Sequence, residues 1–184
     1  LALWALAACL GSAPSLAAEG ADIWTLLRSG NHVALIRHAE APGTGDPPNF
    51  TLGECNTQRN LSKEGRDQAK RIGAFFRDNG IWTARVLTSE WCRCRDTAEN
   101  LELGLVEELP LLNSFFGRME LGARQTRALK SWLGEQAGDP PIILVTHQVN
   151  ITALAGVYPG PGEIVVVRIG ESGAVAVVGT IPTQ

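Results

Sequence analysis

The chain has no long run of lysine or arginine. Its 16 basic and 19 acidic residues leave a formal net charge of −3 over 184 residues. A nucleic-acid groove or a basic membrane face needs a field of one sign, which this composition does not supply. Any anion site must therefore be a local cluster. Histidine is scarce, with only His32, His38 and His147 in the whole chain. No apolar run reaches the roughly 20 residues that span a bilayer. Internal repeats are absent, and so is low-complexity sequence beyond the N-terminal stretch. Yet 45% of the residues are apolar and 19% charged, enough for a core and too apolar for disorder. The length fits one domain.

Residues 1–10, LALWALAACL, are apolar and uncharged. Gly11 to Ser15 break the run, and Leu16-Ala17-Ala18 supplies small residues before Glu19. This pattern reads as the hydrophobic and cleavage regions of a secretory signal over 1–18, lacking its basic start, with the folded domain over 19–184. Leu6-Ala7-Ala8-Cys9 also resembles a lipobox, in which Cys9 would carry a lipid anchor. The expected location is periplasmic or secreted. Export leaves Cys55, Cys92 and Cys94. In an oxidising compartment Cys55 can pair with Cys92 or with Cys94. Either bridge closes a loop of nearly forty residues and stabilises by about 3–4 kcal/mol on the loop-entropy model. No histidines at suitable spacing accompany the cysteines, so no metal site is expected. No Cys-x5-Arg phosphate loop surrounds any of them.

The periodicities predict alternating elements. A short helix over 22–28 precedes His32 to Ile36, a near-continuous apolar run that reads as a buried strand. Residues 41–60 form a long Pro/Gly/Asn-rich loop, which in a compact domain points to function. Ser62 caps a helix reaching Asn79-Gly80. Arg85 to Thr88 is a strand, with Ser89 predicted as cap of a helix from Glu90 to Leu101. A short strand near 105–109, an irregular stretch at 111–120 and a helix over 121–136 lead to a buried strand over 141–146. A helix over 150–155 follows. Two alternating segments, 163–169 and 174–180, read as a hairpin. Strand–helix alternation argues a three-layer α/β/α sandwich with a mostly parallel central sheet. In such sheets the site lies beyond the carboxyl ends of the strands. Those ends carry Arg37-His38, Ser89 to Arg93, and His147; His32 lies at the opposite edge and reads as structural. Arginine offers a bidentate fork for phosphate oxygens. A neutral imidazole nitrogen can attack phosphorus.

These segments resemble the histidine phosphatase superfamily, the clan that includes the phosphoglycerate mutases. Leu35-Ile36-Arg37-His38-Ala39-Glu40 resembles its Arg-His-Gly motif, with Ala39 for Gly. Leu61-Ser62-Lys63-Glu64-Gly65-Arg66-Asp67-Gln68-Ala69 resembles its Leu-Thr-x-x-Gly-x-x-Gln-Ala helix. Thr88 to Ala98 resembles its Ser-Ser-Pro-Leu-x-Arg-Ala-x-x-Thr-Ala segment, which selects Arg93 over Arg95. Val145-Thr146-His147-Gln148 resembles its late strand and second histidine. The resemblance implies a phosphoglycerate mutase-like fold. It makes His38 the nucleophile, held with Arg37, Arg93 and His147 around the phosphoryl group, without metal or cofactor. Gln148, through its backbone N–H, and Arg59 are candidate substrate contacts; Asn49, Phe50 and Arg118 are further ones.

The chain departs from the pattern at the acid. Ser114 stands where many relatives carry a glutamate, and no acid follows His147. Glu90 is the candidate leaving-group acid, with Glu40 and Glu54 as the other nearby carboxylates. The expected function is an exported phosphatase acting on a small phosphorylated substrate or an envelope phosphosugar, with no nucleic-acid or obligate protein partner. The alternatives are a phosphohistidine phosphatase, a phosphate-binding protein without turnover, and a lipid-anchored structural protein.

Overall fold

The structure, a computed structural model, describes residues 22–136, 140–170 and 173–183. The expected signal over 1–18 and Cys9 lie outside them. Six strands form one sheet in the order β3-β2-β4-β1-β5-β6. They are β1 (His32–Arg37), β2 (Arg85–Thr88), β3 (Val106–Glu108), β4 (Ile142–Thr146), β5 (Ile164–Ile169) and β6 (Val175–Ile181). The first four run parallel, and β5 and β6 close one side antiparallel. The helices are α1 (Ile23–Arg28), α2 (Lys63–Asp78), α3 (Cys92–Leu101), α4 (Gly122–Gly134) and α5 (Gln148–Ala155).

Alternation along the central strands builds the layers. Ala34 and Ile36 of β1, Ile143 and Val145 of β4, and Ile164 and Val166 of β5 pack against Trp24, Leu27, Ile72, Phe76 and Leu101 of α1, α2 and α3. The intervening Val33, Leu35, Ile142, Leu144, Val165 and Val167 meet Leu129, Leu133, Ile151 and Leu154 of α4 and α5. Both faces are covered, so these strands carry unbroken apolar runs. This corrects one expectation: β5 is buried at every position from Ile164 to Val167. It lies inside the sheet, between β1 and β6. Of the two hairpin strands only β6 is an edge, with Val177 and Val178 exposed.

The helix start at Ser89 is also corrected. The first helical residue is Cys92, and its N–H donates to Gln58 Oε1 at 3.0 Å. Ser89 Oγ is engaged instead with the His147 ring and Asn113. The stretch 111–120, expected to be irregular, overlaps two short 3-10 turns, Pro110–Leu112 and Met119–Leu121.

The α2 motif clamps the chain just beyond His38. Ser62 caps the helix by accepting the Gly65 N–H at 2.9 Å. Gln68 Oε1 accepts the Glu40 N–H at 3.0 Å, and its Nε2 donates to the Pro161 carbonyl at 2.9 Å. Gly65 lets the helix approach: a Cβ there would lie 2.0 Å from the Glu40 carbonyl oxygen. A Cys55–Cys92 disulfide, with Cα atoms 5.6 Å apart, joins the long loop to the first residue of α3 and leaves Cys94 free and buried.

Two outcomes follow. Alanine at an exposed mid-helix glycine stabilises by about 1 kcal/mol. Gly65→Ala will instead destabilise by about 1–3 kcal/mol through overpacking, lowering Tm by several degrees at roughly 2–4 °C per kcal/mol; thermal denaturation decides the sign. Reduction of Cys55–Cys92 will lower the unfolding free energy by up to about 3–4 kcal/mol, seen as a lower denaturant midpoint with reductant than without.

Candidate active site

Parallel pairing sets the site. The register places Arg37 opposite Thr146 and Thr88 opposite Val145, so the residues just beyond these strands emerge side by side. The His38 N–H donates to the Thr146 carbonyl at 2.9 Å, and the Ser89 N–H to the Val145 carbonyl at 3.0 Å. The rings of His38 and His147 face each other edge-on with centroids 5.6 Å apart. A cavity of about 670 Å³ opens above them, and Arg37, His38, Arg59, Arg93, His147 and Gln148 all line it. Phe50 and Arg118 line it too, whereas Asn49 does not.

His38 is 3% exposed, and its Nδ1 lies 2.9 Å from the Ala39 carbonyl. A carbonyl only accepts, so Nδ1 carries the proton and Nε2 keeps the lone pair. Burial first, then the charge of Arg93, lowers its pKa to about 3. The ring is therefore neutral at physiological pH and able to act as a nucleophile. Ala39 is fixed in turn: its N–H donates to Thr97 Oγ1 at 3.0 Å, and Thr97 Oγ1 donates to the Arg93 carbonyl at 2.7 Å. The motif threonine thus ties the segment after His38 to the helix carrying Arg93.

His147 is equally buried, and burial followed by the charges of Arg93 and His38 holds its pKa well below the usual value. Arg93 Nη2 approaches its Nδ1 at 3.5 Å, and its Nε2 lies 2.9 Å from Ser89 Oγ. A guanidinium only donates, so Nδ1 accepts and Nε2–H donates to Ser89. Ser89 Oγ passes its own hydrogen to Asn113 Oδ1 at 3.2 Å. Arg37 Nη1 donates to the Pro159 carbonyl at 2.9 Å. Arg59 donates to the Gly45 carbonyl at 2.7 Å and the Ala41 carbonyl at 2.6 Å, pinning the long loop while lining the cavity. The Nε–H groups of Arg37 and Arg93 are buried without an acceptor among the described residues.

The acid expectation is corrected. Glu90 does not line the cavity, and its carboxylate accepts from the Asn113 side-chain amide. Glu40 is engaged by Ser62 Oγ, and Glu54 also lies off the cavity. The carboxylate that does line it is Asp46, from the long loop. Burial would raise its pKa, but the hydrogen bond and charge of Arg93 outweigh that and hold it below the ordinary carboxylate value. Sequence reading missed Asp46, Asn113 and Gln58, none of which lies in a recognisable pattern. Arg95, the rejected alternative to Arg93, is partly exposed and faces Glu108 at 3.5 Å. Cys94 is buried with its thiol pushed up to about 12 by burial, and it is not a nucleophile. Among the described residues no cluster of His, Cys, Asp or Glu could hold a metal ion, and no helix is long and apolar enough to cross a membrane.

A histidine at the end of the first strand, guanidinium groups around it and a second histidine from the neighbouring strand form one basic cluster at the carboxyl ends of the strands. The model of the histidine phosphatase superfamily (branch 1) matches residues 33–120, a little under half of the chain, and over that stretch the chain is similar to the superfamily. Serine/threonine-protein phosphatase Pgam5, mitochondrial, of Drosophila willistoni is 32% identical over 72 residues, 39% of this chain. The match spans only 22% of that protein. Among solved structures, the protein histidine phosphatase SixA complexed with tungstate superposes with a TM-score of 0.58 at 21% identity, covering 83% of this chain and 97% of that one. A phosphoserine phosphatase of Entamoeba histolytica in complex with phosphoserine gives 0.60 at 15% identity, covering 83% and 98%. At these identities the structural likeness is one of fold.

The buried histidines set the acid limit of the fold. Unfolded, a histidine takes up its proton near pH 6.5; folded, His38 does so only near pH 3. Between those values the unfolded chain holds the extra proton, so stability is full above about pH 6.5 and declines as pH falls toward 3. His38→Asn will flatten that decline, measured as the denaturant midpoint from pH 7 to 4.

Proposed function

We propose that this chain is an exported, metal-independent phosphatase that hydrolyses a small phosphorylated substrate through a phosphohistidine on His38. The observation that carries the reading is the buried, neutral His38 ring, with its Nε2 lone pair free beside Arg37 and Arg93, whose Nε–H donors lack acceptors among the described residues. In the first step Nε2 attacks phosphorus. The N–P bond forms, the bond from phosphorus to the leaving oxygen breaks, and the leaving group takes the electron pair. In the second step water attacks phosphorus, the N–P bond breaks, and the lone pair returns to Nε2. The leaving oxygen takes a proton from solvent and the attacking water gives one up to it, so one water is consumed, and inorganic phosphate and the free hydroxyl compound leave. Arg37 and Arg93 hold the equatorial oxygens and the developing charge, and His147 joins them as a donor once the phosphoryl charge draws a proton onto its Nδ1 in place of the Arg93 contact. The N–H of Gln148, first residue of α5, adds a donor at the cavity wall.

The leader-like stretch over 1–18 and the disulfide support an envelope or secreted location. Envelope phosphosugars are then the natural substrate pool. Protein phosphohistidine is the second reading, supported by the near-complete coverage of SixA, a protein histidine phosphatase of similar size.

The test is turnover of 4-nitrophenyl phosphate by the oxidised chain in chelator, with His38→Ala alongside. Its leaving group needs no protonation. We expect chelator-resistant hydrolysis that falls by at least ~1000-fold in the variant. A folded chain that binds phosphate but shows no turnover before or after the substitution is a binding module, and the proposal fails.

A further inference from the structure

Asp46 stands in the loop between β1 and α2, and every acceptor position it presents is in use. Oδ1 accepts from Arg93 Nη1 at 2.8 Å and from the Arg59 backbone N–H at 3.1 Å. Oδ2 accepts from Arg93 Nη2 at 3.2 Å and from the Trp91 indole N–H at 3.0 Å. A carboxylate that meets both terminal nitrogens of a guanidinium fixes its plane and its direction. The contact uses the end of the Arg93 guanidinium and leaves its side edge. On that edge the Nε–H is buried, and it has no acceptor among the described residues although Arg93 is only 3% exposed. A buried donor left unmade is unfavourable, and a phosphoryl oxygen would satisfy it.

We infer that Asp46 is the positioning residue of this site, clamping Arg93 end-on so that the side edge of its guanidinium meets the transferring phosphoryl group. The inference rests on the phosphatase reading of the cavity. Geometry opposes two other roles for the same carboxylate. As proton donor to the leaving group Asp46 would have to be protonated, and its hydrogen-bond donors all favour the ionised form. As a competing anion it would have to accept from the Nε–H, and its oxygens take only Nη1 and Nη2 of Arg93. Nor is the loop free to swing, since Arg59 holds it at Ala41 and Gly45 and the disulfide holds it at Cys55.

The experiment compares the oxidised wild-type chain with Asp46→Asn, Arg93→Gln and the double variant. It reads kcat/KM on aryl phosphates of graded leaving-group acidity, and binding of orthovanadate by calorimetry. Asp46→Asn should lower kcat/KM on the order of 100-fold, the effect of a misplaced catalytic group. The loss should be equal across the series, and orthovanadate should bind more weakly. The double variant should be no worse than Arg93→Gln alone, as for two residues acting as a unit. Three results overturn the inference: a loss that grows with leaving-group pKa, which makes Asp46 the proton donor; tighter orthovanadate binding, which makes it a competing anion; or additive losses in the double variant, which separate it from Arg93. The orthovanadate arm needs no turnover. If no aryl phosphate is hydrolysed while Asp46→Asn still weakens orthovanadate, the function reading fails and the positioning role stands. Should Asp46→Asn not fold, Trp91→Phe removes one donor to Oδ2 without changing charge. A smaller, parallel loss is then expected, and no loss overturns the inference.

Discussion

The pocket depends on keeping an imidazole neutral and buried among guanidinium groups. Water would solvate a protonated ring and shield the arginines from one another, but His38 is removed from it. With Arg93, Arg59 and Arg37 all acting on it, the ring cannot add a further positive charge. The same crowding bears on the arginines, since Arg37 and Arg59 are lowered first by burial and also by the charge of Arg93. A site of this kind is short of negative charge. Asp46 supplies some, and in the proposed reaction a phosphoryl group supplies the rest. The proposed nucleophile and its anion cradle are thus one electrostatic arrangement.

That arrangement can exist because of where β1 and β4 lie. As parallel central neighbours, they deliver His38 and His147 to the same edge of the sheet from positions far apart in the chain. The helices then fix the ends. α2 clamps Glu40 through Gln68 and the close approach at Gly65, and α3 ties Ala39 through Thr97. The motif residues that never face the cavity are therefore hardware for the backbone around His38.

Much of this was legible in the sequence, for a physical reason. Strands covered on both faces must be apolar throughout, so β1 and β4 stand out, and the polar residues that end them stand out with them. Arg93 was separable from Arg95 only by motif register, which burial now explains. Asp46 was not legible. It sits among prolines and glycines in a loop without period, and its partners Arg93 and Trp91 are brought to it by tertiary structure alone. Glu90 misled because adjacency to a strand end does not determine where a side chain turns; Asn113, from a distant segment, holds it away. Ser89 misled in the same way, its capping potential diverted to a histidine that sequence distance hides. β5 looked half-exposed because alternation in a hairpin is ambiguous until the neighbouring strands are known.

The disulfide alters the distance, along the chain, between Asp46 and Arg93. They are 47 residues apart in sequence. Through the Cys55–Cys92 bond the path runs nine residues from Asp46 to Cys55, crosses the bridge, and takes one step to Arg93. A path shortened from 47 residues to roughly ten lowers the entropic cost of bringing its ends together by about 1 kcal/mol. The effective concentration of the carboxylate at the guanidinium rises accordingly, by close to an order of magnitude. The covalent bond thus works as a chelate linker for an ion pair to which neither cysteine belongs.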